Sequence, residues 1–104
     1  MINFVYKILT SNEWIIFQRD KTILSNFDQF SGFIHLSTKK QIKETIKNYF
    51  VNHRKLVIIS FKISEFKNKL KWEISTNGDL YPHLYTTLNF KNIHHYRFLN
   101  WYDL

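Results

Sequence analysis

The sequence has no cysteine and no alanine, and it holds only 2 glycines and 1 proline. Without cysteine there is no disulfide framework, no thiolate zinc site and no cysteine nucleophile. So few glycines and prolines leave no flexible linker and no low-complexity tract. The longest apolar runs, residues 14–17 and 56–59, fall far short of the ~20 residues that a membrane span requires. The opening Met1-Ile2-Asn3-Phe4-Val5-Tyr6-Lys7 lacks both the charged start and the apolar stretch of a signal peptide. The expectation is a soluble cytoplasmic protein with no membrane partner. Glycine-rich phosphate loops, Gly-x-Ser-x-Gly elbows and His-x-x-x-His pairs are also missing, so triad hydrolysis and helix-borne metal binding have no support.

What is present fits one α+β domain over residues 1–104. Aromatic residues make up 18% of the chain, so rings and branched aliphatics fill the core in place of alanine. Lys+Arg outnumber Asp+Glu 15 to 8, for a net charge of +7. That excess is compatible with an anionic partner but generic in itself.

Hydrophobic periodicity orders the chain. Residues 4–9 alternate as a strand, with Phe4, Tyr6 and Ile8 on one face and Val5, Lys7 and Leu9 on the other. Thr10 and Glu13 have capping-box spacing and open a helix through Trp14 and Phe17. Residues 32–36 read as a strand, followed by a second capping-box pair, Thr38 and Gln41. Ile42, Ile46, Tyr49 and Phe50 form the buried stripe of the next helix, with Lys39, Lys43 and Lys47 on its wet face. Residues 56–63 suit a central strand covered on both sides. A single helical turn over 64–70 precedes a strand at 71–75, the Asn77-Gly78 turn, and strands at 80–85 and 93–99.

Two histidines draw attention through their neighbours. Alternation places Phe33, His35 and Ser37 on one face of their strand, leading into a helix start at Thr38. Backbone N–H groups at such a start suit an anionic ligand group, although a half-buried His35 bonded to a carbonyl would fit the same pattern. In Tyr81-Pro82-His83-Leu84-Tyr85 the two tyrosines and His83 share a face, and the proline favours an edge strand, or a loop entering one, open to a ligand. Equally, both tyrosines simply pack. Trp72 and Glu73 point to opposite faces, and Glu73 beside Lys71 is either a pocket carboxylate or half of a surface ion pair. Lys39, Lys40, Lys43 and Lys47, with Lys67, Lys69 and Lys71, form a basic surface that either tracks a phosphate backbone or is simply solvated.

Several blocks together resemble a known family. They are Tyr6-Lys7-Ile8-Leu9-Thr10 with Trp14, Gly32-Phe33-Ile34-His35-Leu36-Ser37, Thr45 and Phe50, Leu56-Val57, Leu70-Lys71-Trp72-Glu73, and Pro82-His83-Leu84-Tyr85. The chain is similar along nearly its whole length to domain of unknown function 952, a mainly bacterial family. The resemblance implies a compact ADP-ribosyltransferase-like fold, a mostly antiparallel split β-sheet with two or three flanking helices and NAD held in a cleft. The Ile34-His35-Leu36-Ser37 block also looks like the His-Leu-Ser strand of RNA 2′-phosphotransferases in that superfamily.

Carried over residue by residue, the resemblance implies His35, His83 and Glu73 as catalytic groups, with Ser37, Thr38, Trp72 and Tyr85 binding the nucleotide. His35 would bond ribose hydroxyls, Ser37 and Thr38 would orient the nucleotide, and Tyr85 or Trp72 would stack on a ring. His83 or Glu73 would grip the reacting ribose or act as base. NAD would be the substrate, and no metal is expected. The chain departs from the pattern in having Lys7 where transferases carry His or Arg on the first strand, and His83 where they carry Glu. Ser31 and Thr86 also replace an acidic residue and a glycine. The alternative is a non-catalytic nucleotide-, RNA- or protein-binding module on the same fold, with Lys39, Lys40, Lys43 and Lys47 contacting nucleic acid.

Overall fold

The computed structural model describes residues 2–100 and 102. Strand β1 (Phe4–Thr10) runs straight into helix α1 (Ser11–Asp20). The expected capping box is formed: the Thr10 N–H donates to Glu13 Oε1 at 2.9 Å and the Glu13 N–H to Thr10 Oγ1 at 3.2 Å. Two donors that the first helical turn would leave orphaned are thereby satisfied. A helix not anticipated from the pattern follows, α2 (Asn26–Ser31). The Ser25 hydroxyl accepts from the Asp28 N–H at 3.1 Å. Gly32 ends the helix at φ 84°, in the left-handed region where a side chain is disfavoured.

Strand β2 is short, Ile34–His35: Gly32 is spent on the helix cap, and after Leu36, whose N–H still donates to the Pro82 carbonyl, Ser37 pairs with Tyr6 of β1. Helix α3 (Ile42–Tyr49) follows a 3₁₀ turn at Lys39–Gln41. Ile42 and Ile46 are buried as expected, but Tyr49 is exposed, so the stripe is narrower than its spacing predicts. Strand β3 (Lys55–Lys62) is buried along six consecutive residues. The expected single turn after it is two 3₁₀ turns, Ile63–Glu65 and Lys67–Lys69, divided by Phe66, and Lys67 stands at φ 51°. Strands β4 (Leu70–Ile74), β5 (Leu80–Leu84) and β6 (Ile93–Asn100) complete the order.

The strands form two three-stranded sheets, β1-β3-β6 and β2-β5-β4, and each pairing is antiparallel. Strand β3 is the middle of the first sheet, and β5, whose proline favours an edge, is instead the middle of the second, paired on both sides. One of that sheet's faces presents Val5, Leu9, Val57, Ile59 and Phe61 to Trp14 and Phe17 of α1 and to Ile34, Leu36 and Leu84 of the second sheet. Its other face packs Ile8, Leu56 and Ile58 against Ile42 and Ile46 of α3. Each fully buried aliphatic contributes about 1.5–3 kcal/mol. The sheets meet where Tyr6 and Ser37 exchange backbone hydrogen bonds of 2.8 and 2.9 Å, and a cleft opens beside that junction. No helix among the described residues is long and apolar enough to cross a membrane.

Candidate functional site

Period-two alternation decides what enters the cleft. Ile34, Leu36 and Leu84 face the core, so His35 and His83 must face outward. The register sets them directly opposite each other on β2 and β5, with ring centroids 5.7 Å apart. Both imidazoles line a cavity of about 390 Å³, with Ser37 from the end of β2 and Thr45, Asn48 and Tyr49 from α3. Ser75, Thr76 and Asn77 of the β4–β5 turn close one side. That turn follows from Gly78 at φ 90° and from Asn77 Oδ1, which accepts from the Ser75 hydroxyl and the Asp79 N–H at 2.7 and 3.0 Å.

Each histidine is held by a carboxylate at the same ring nitrogen. Asp28, on the first turn of α2 and only 1% exposed, receives the His35 backbone N–H at 3.1 Å and His35 Nδ1 at 2.7 Å on Oδ1. Its Oδ2 receives Lys7 Nζ at 2.7 Å, and Lys7 also donates to the His35 carbonyl at 3.1 Å. Lys7 is itself 5% exposed, so both charges of this pair lie inside the protein. Burial pushes the Asp28 carboxyl up, but the His35 hydrogen bond and the Lys7 charge outweigh it and hold the group below its ordinary value. Because Asp28 is ionised, His35 Nδ1 must carry the proton, which leaves Nε2 as the nitrogen for a ligand.

His83 repeats the arrangement with a different partner. Its Nδ1 lies 2.8 Å from Glu73 Oε1, which also accepts the Tyr85 hydroxyl at 2.7 Å. The Tyr85 and His83 hydrogen bonds hold the Glu73 carboxyl below its ordinary value, and the same Glu73 bond raises the Tyr85 hydroxyl. Phe33 stacks on the His83 ring at 4.0 Å and Phe27 on the His35 ring at 4.2 Å, so neither imidazole can swing freely. The exposed rings of Phe27 and Tyr49 stand 5.5 Å apart at the rim, a surface on which a planar ligand group can stack.

The residues singled out from the sequence therefore occupy three places. His35, His83 and Ser37 line the cavity together. Glu73 and Tyr85 stand behind His83 and act on the cavity through it. Thr38 and Trp72 lie outside the lining: Thr38 donates its N–H to Gln41 Oε1 at 3.0 Å, and Trp72 sits on the opposite face of β4 from Glu73. The Ser37 hydroxyl is 2.9 Å from Thr45 Oγ1, whose own proton goes to the Gln41 carbonyl at 3.0 Å, so Ser37 is free to accept from a ligand. Lys39, Lys40, Lys43 and Lys47 are exposed but line none of this cavity. Any phosphate backbone following them would occupy a separate surface.

Sequence reasoning missed Asp28. Its signal was the Ser25-x-x-Asp28 cap with Gly32 four residues on, a short-helix signature that carries no indication of where the carboxylate points.

Solved structures of a bacterial protein resemble this one. The crystal structure of protein CC0527 from Caulobacter crescentus is 33% identical with a TM-score of 0.86, over 93% of this chain and 86% of that one. The solution NMR structure of CC0527 gives 33% identity and a TM-score of 0.82, over 93% and 84%. Among curated proteins the chain finds no match. Residues 8–96 match a family described as "Protein of unknown function (DUF952)".

Proposed function

The chain belongs to the DUF952 family, and from that premise we propose that its cavity is a nucleotide site of the ADP-ribosyltransferase-like kind. It takes NAD or an ADP-ribose-containing nucleotide and transfers or hydrolyses the ADP-ribose. The observation that carries this reading is the facing pair His35 and His83, each held at Nδ1 by a carboxylate and each left with Nε2 for a ligand. Two antiparallel sheets with a cleft at their junction, and flanking helices α1, α2 and α3, are the architecture that this reading requires.

Cleaving the glycosidic bond of NAD releases neutral nicotinamide and leaves positive charge on the ribose. Such a reaction needs the ribose gripped and the charge stabilised more than it needs a strong nucleophile. His35 Nε2 and Ser37 Oγ accept hydrogen bonds from ribose hydroxyls. Phe27 and Tyr49 stack on a planar ring. His83 Nε2, backed by Glu73, takes the proton from the attacking water or acceptor hydroxyl as its oxygen bonds to the ribose carbon.

The test is a thermal-shift series with NAD, ADP-ribose and nicotinamide. A ligand at about 100 times its Kd adds roughly 2.7 kcal/mol to stability. A shift with NAD or ADP-ribose that disappears in His35→Ala and His83→Ala is the expected result. No shift with any of the three, or full binding by both variants, overturns the reading.

A further inference from the structure

NAD cleavage asks for one proton acceptor at most, because nicotinamide leaves without needing a proton. The cavity holds two imidazoles, each anchored by a carboxylate. Both are anchored at Nδ1, both are immobilised by a stacked phenylalanine, and their rings stand 5.7 Å apart. A group that moves a proton must reach its oxygen at about 2.6–3.2 Å, and two rings at this spacing can serve two oxygens bonded to one phosphorus. We propose that His35 and His83 form an acid–base couple for phosphodiester transfer, and that a short single-stranded RNA is cleaved in this cavity through its own 2′-hydroxyl. The inference rests on the reading of the cavity as a nucleotide site and goes beyond it in the bond that is broken.

The step balances without any added reactant. The neutral imidazole takes the 2′-hydroxyl proton on Nε2 while that oxygen bonds to phosphorus. The bond from phosphorus to the 5′-oxygen breaks, and the imidazolium delivers its Nε2 proton to the departing oxygen. The products are a 2′,3′-cyclic phosphate and a free 5′-hydroxyl, and the two histidines have exchanged protonation states.

The surroundings support this substrate class. Asn48 and Asn77 line the cavity; their amide nitrogens make long bonds to Glu44 and Tyr81, and each keeps a second N–H that can donate to a phosphate oxygen. The exposed Phe27 and Tyr49 rings offer a platform on which bases stack. A net charge of +7 raises the concentration of a polyanion around the protein as a whole. The charged and titratable groups facing His35 are Asp28, Lys7 and His83; those facing His83 are Glu73, Lys71, Tyr85 and His35. Glu13 and His53 also line the cavity.

The experiment incubates the purified protein with the dinucleotide UpA and separately with its 2′-deoxy analogue, and resolves the products by chromatography. The expected result is a 2′,3′-cyclic phosphate from UpA only, a rate that falls on both sides of an optimum pH, and a loss of at least about 100-fold in His35→Ala and in His83→Gln. His83→Gln leaves Glu73 half in solvent, so it remains informative if His35→Ala does not fold. Equal cleavage by wild type and a folded variant marks a contaminating nuclease and overturns the proposal. No cleavage by a protein that still gains stability from NAD overturns the acid–base couple while leaving the nucleotide site standing. No cleavage and no stabilisation removes both.

Discussion

Asp28→Asn is the substitution from which most can be learned. The exchange keeps an oxygen for the two His35 N–H groups, removes the negative charge and turns the oxygen that accepts from Lys7 into an N–H donor. Lys7, 5% exposed, then loses the one anion that pairs with it among the described residues. Removing one member of a buried ion pair costs about 3–5 kcal/mol, because the other charge stays desolvated. Against a total stability of about 5–15 kcal/mol for a small domain, that is a large fraction. The melting temperature falls by more than about 10 °C at 4–8 °C per kcal/mol. Urea unfolding followed by circular dichroism measures the loss, provided that m is unchanged.

Pairing the substitution with Lys7→Met removes both charges, and the double variant recovers much of the loss. The single costs are therefore not additive. The pH dependence has a definite sign. In the unfolded chain Asp28 takes up its proton near the ordinary 3.8, and in the folded protein only at lower pH. Its contribution is whole above the ordinary value and is lost as pH falls through the folded one. Asp28→Asn flattens that part of the acid limb. A loss below about 1 kcal/mol, or additive costs with Lys7→Met, would refute the account of Asp28 as a buried ion-paired carboxylate.

Three further outcomes are expected. Ile46→Ala, at a position with no exposure between α3 and the first sheet, costs about 2–5 kcal/mol in urea unfolding. Thr10→Ala removes one half of the α1 capping box and costs about 1 kcal/mol in the same assay. Tyr85→Phe takes away the largest influence holding the Glu73 carboxyl down, so carboxyl NMR finds Glu73 titrating at higher pH in the variant than in the wild type; an unchanged midpoint refutes the Tyr85–Glu73 bond.

Local chemistry made much of the scaffold legible. The Thr10–Glu13 capping box, the Asn77-Gly78 turn and the alternating faces of residues 4–9 depend on contacts within a few residues, and each stands as its sequence pattern predicts; the covered strand expected over 56–63 is buried over 56–61, with Lys62 exposed and Ile63 in the following turn. Alternation also put His35 with Ser37 and His83 with Tyr85, because the direction of successive strand side chains is a local property. Tyr49 misled because helical spacing records which residues share a side but not where the partner surface ends. Helix α2 was missed because six residues are too few for a periodic signal.

The meeting of His35 with His83 depended on the β2–β5 register, a pairing across almost half the chain. Alternation put Lys7 on a strand face with Val5 and Leu9, and no pattern singled out Asp28. Their pairing required β1 and α2 to be packed together, so that each buried charge met its counterion. The sequence by itself determined most of the elements, the faces of the strands and the candidate imidazoles, since those follow from short-range sterics and hydrogen bonding. Only the tertiary structure decided which carboxylate holds which histidine and which rings stack on them, because those contacts join residues whose separation along the chain carries no record of their distance in space.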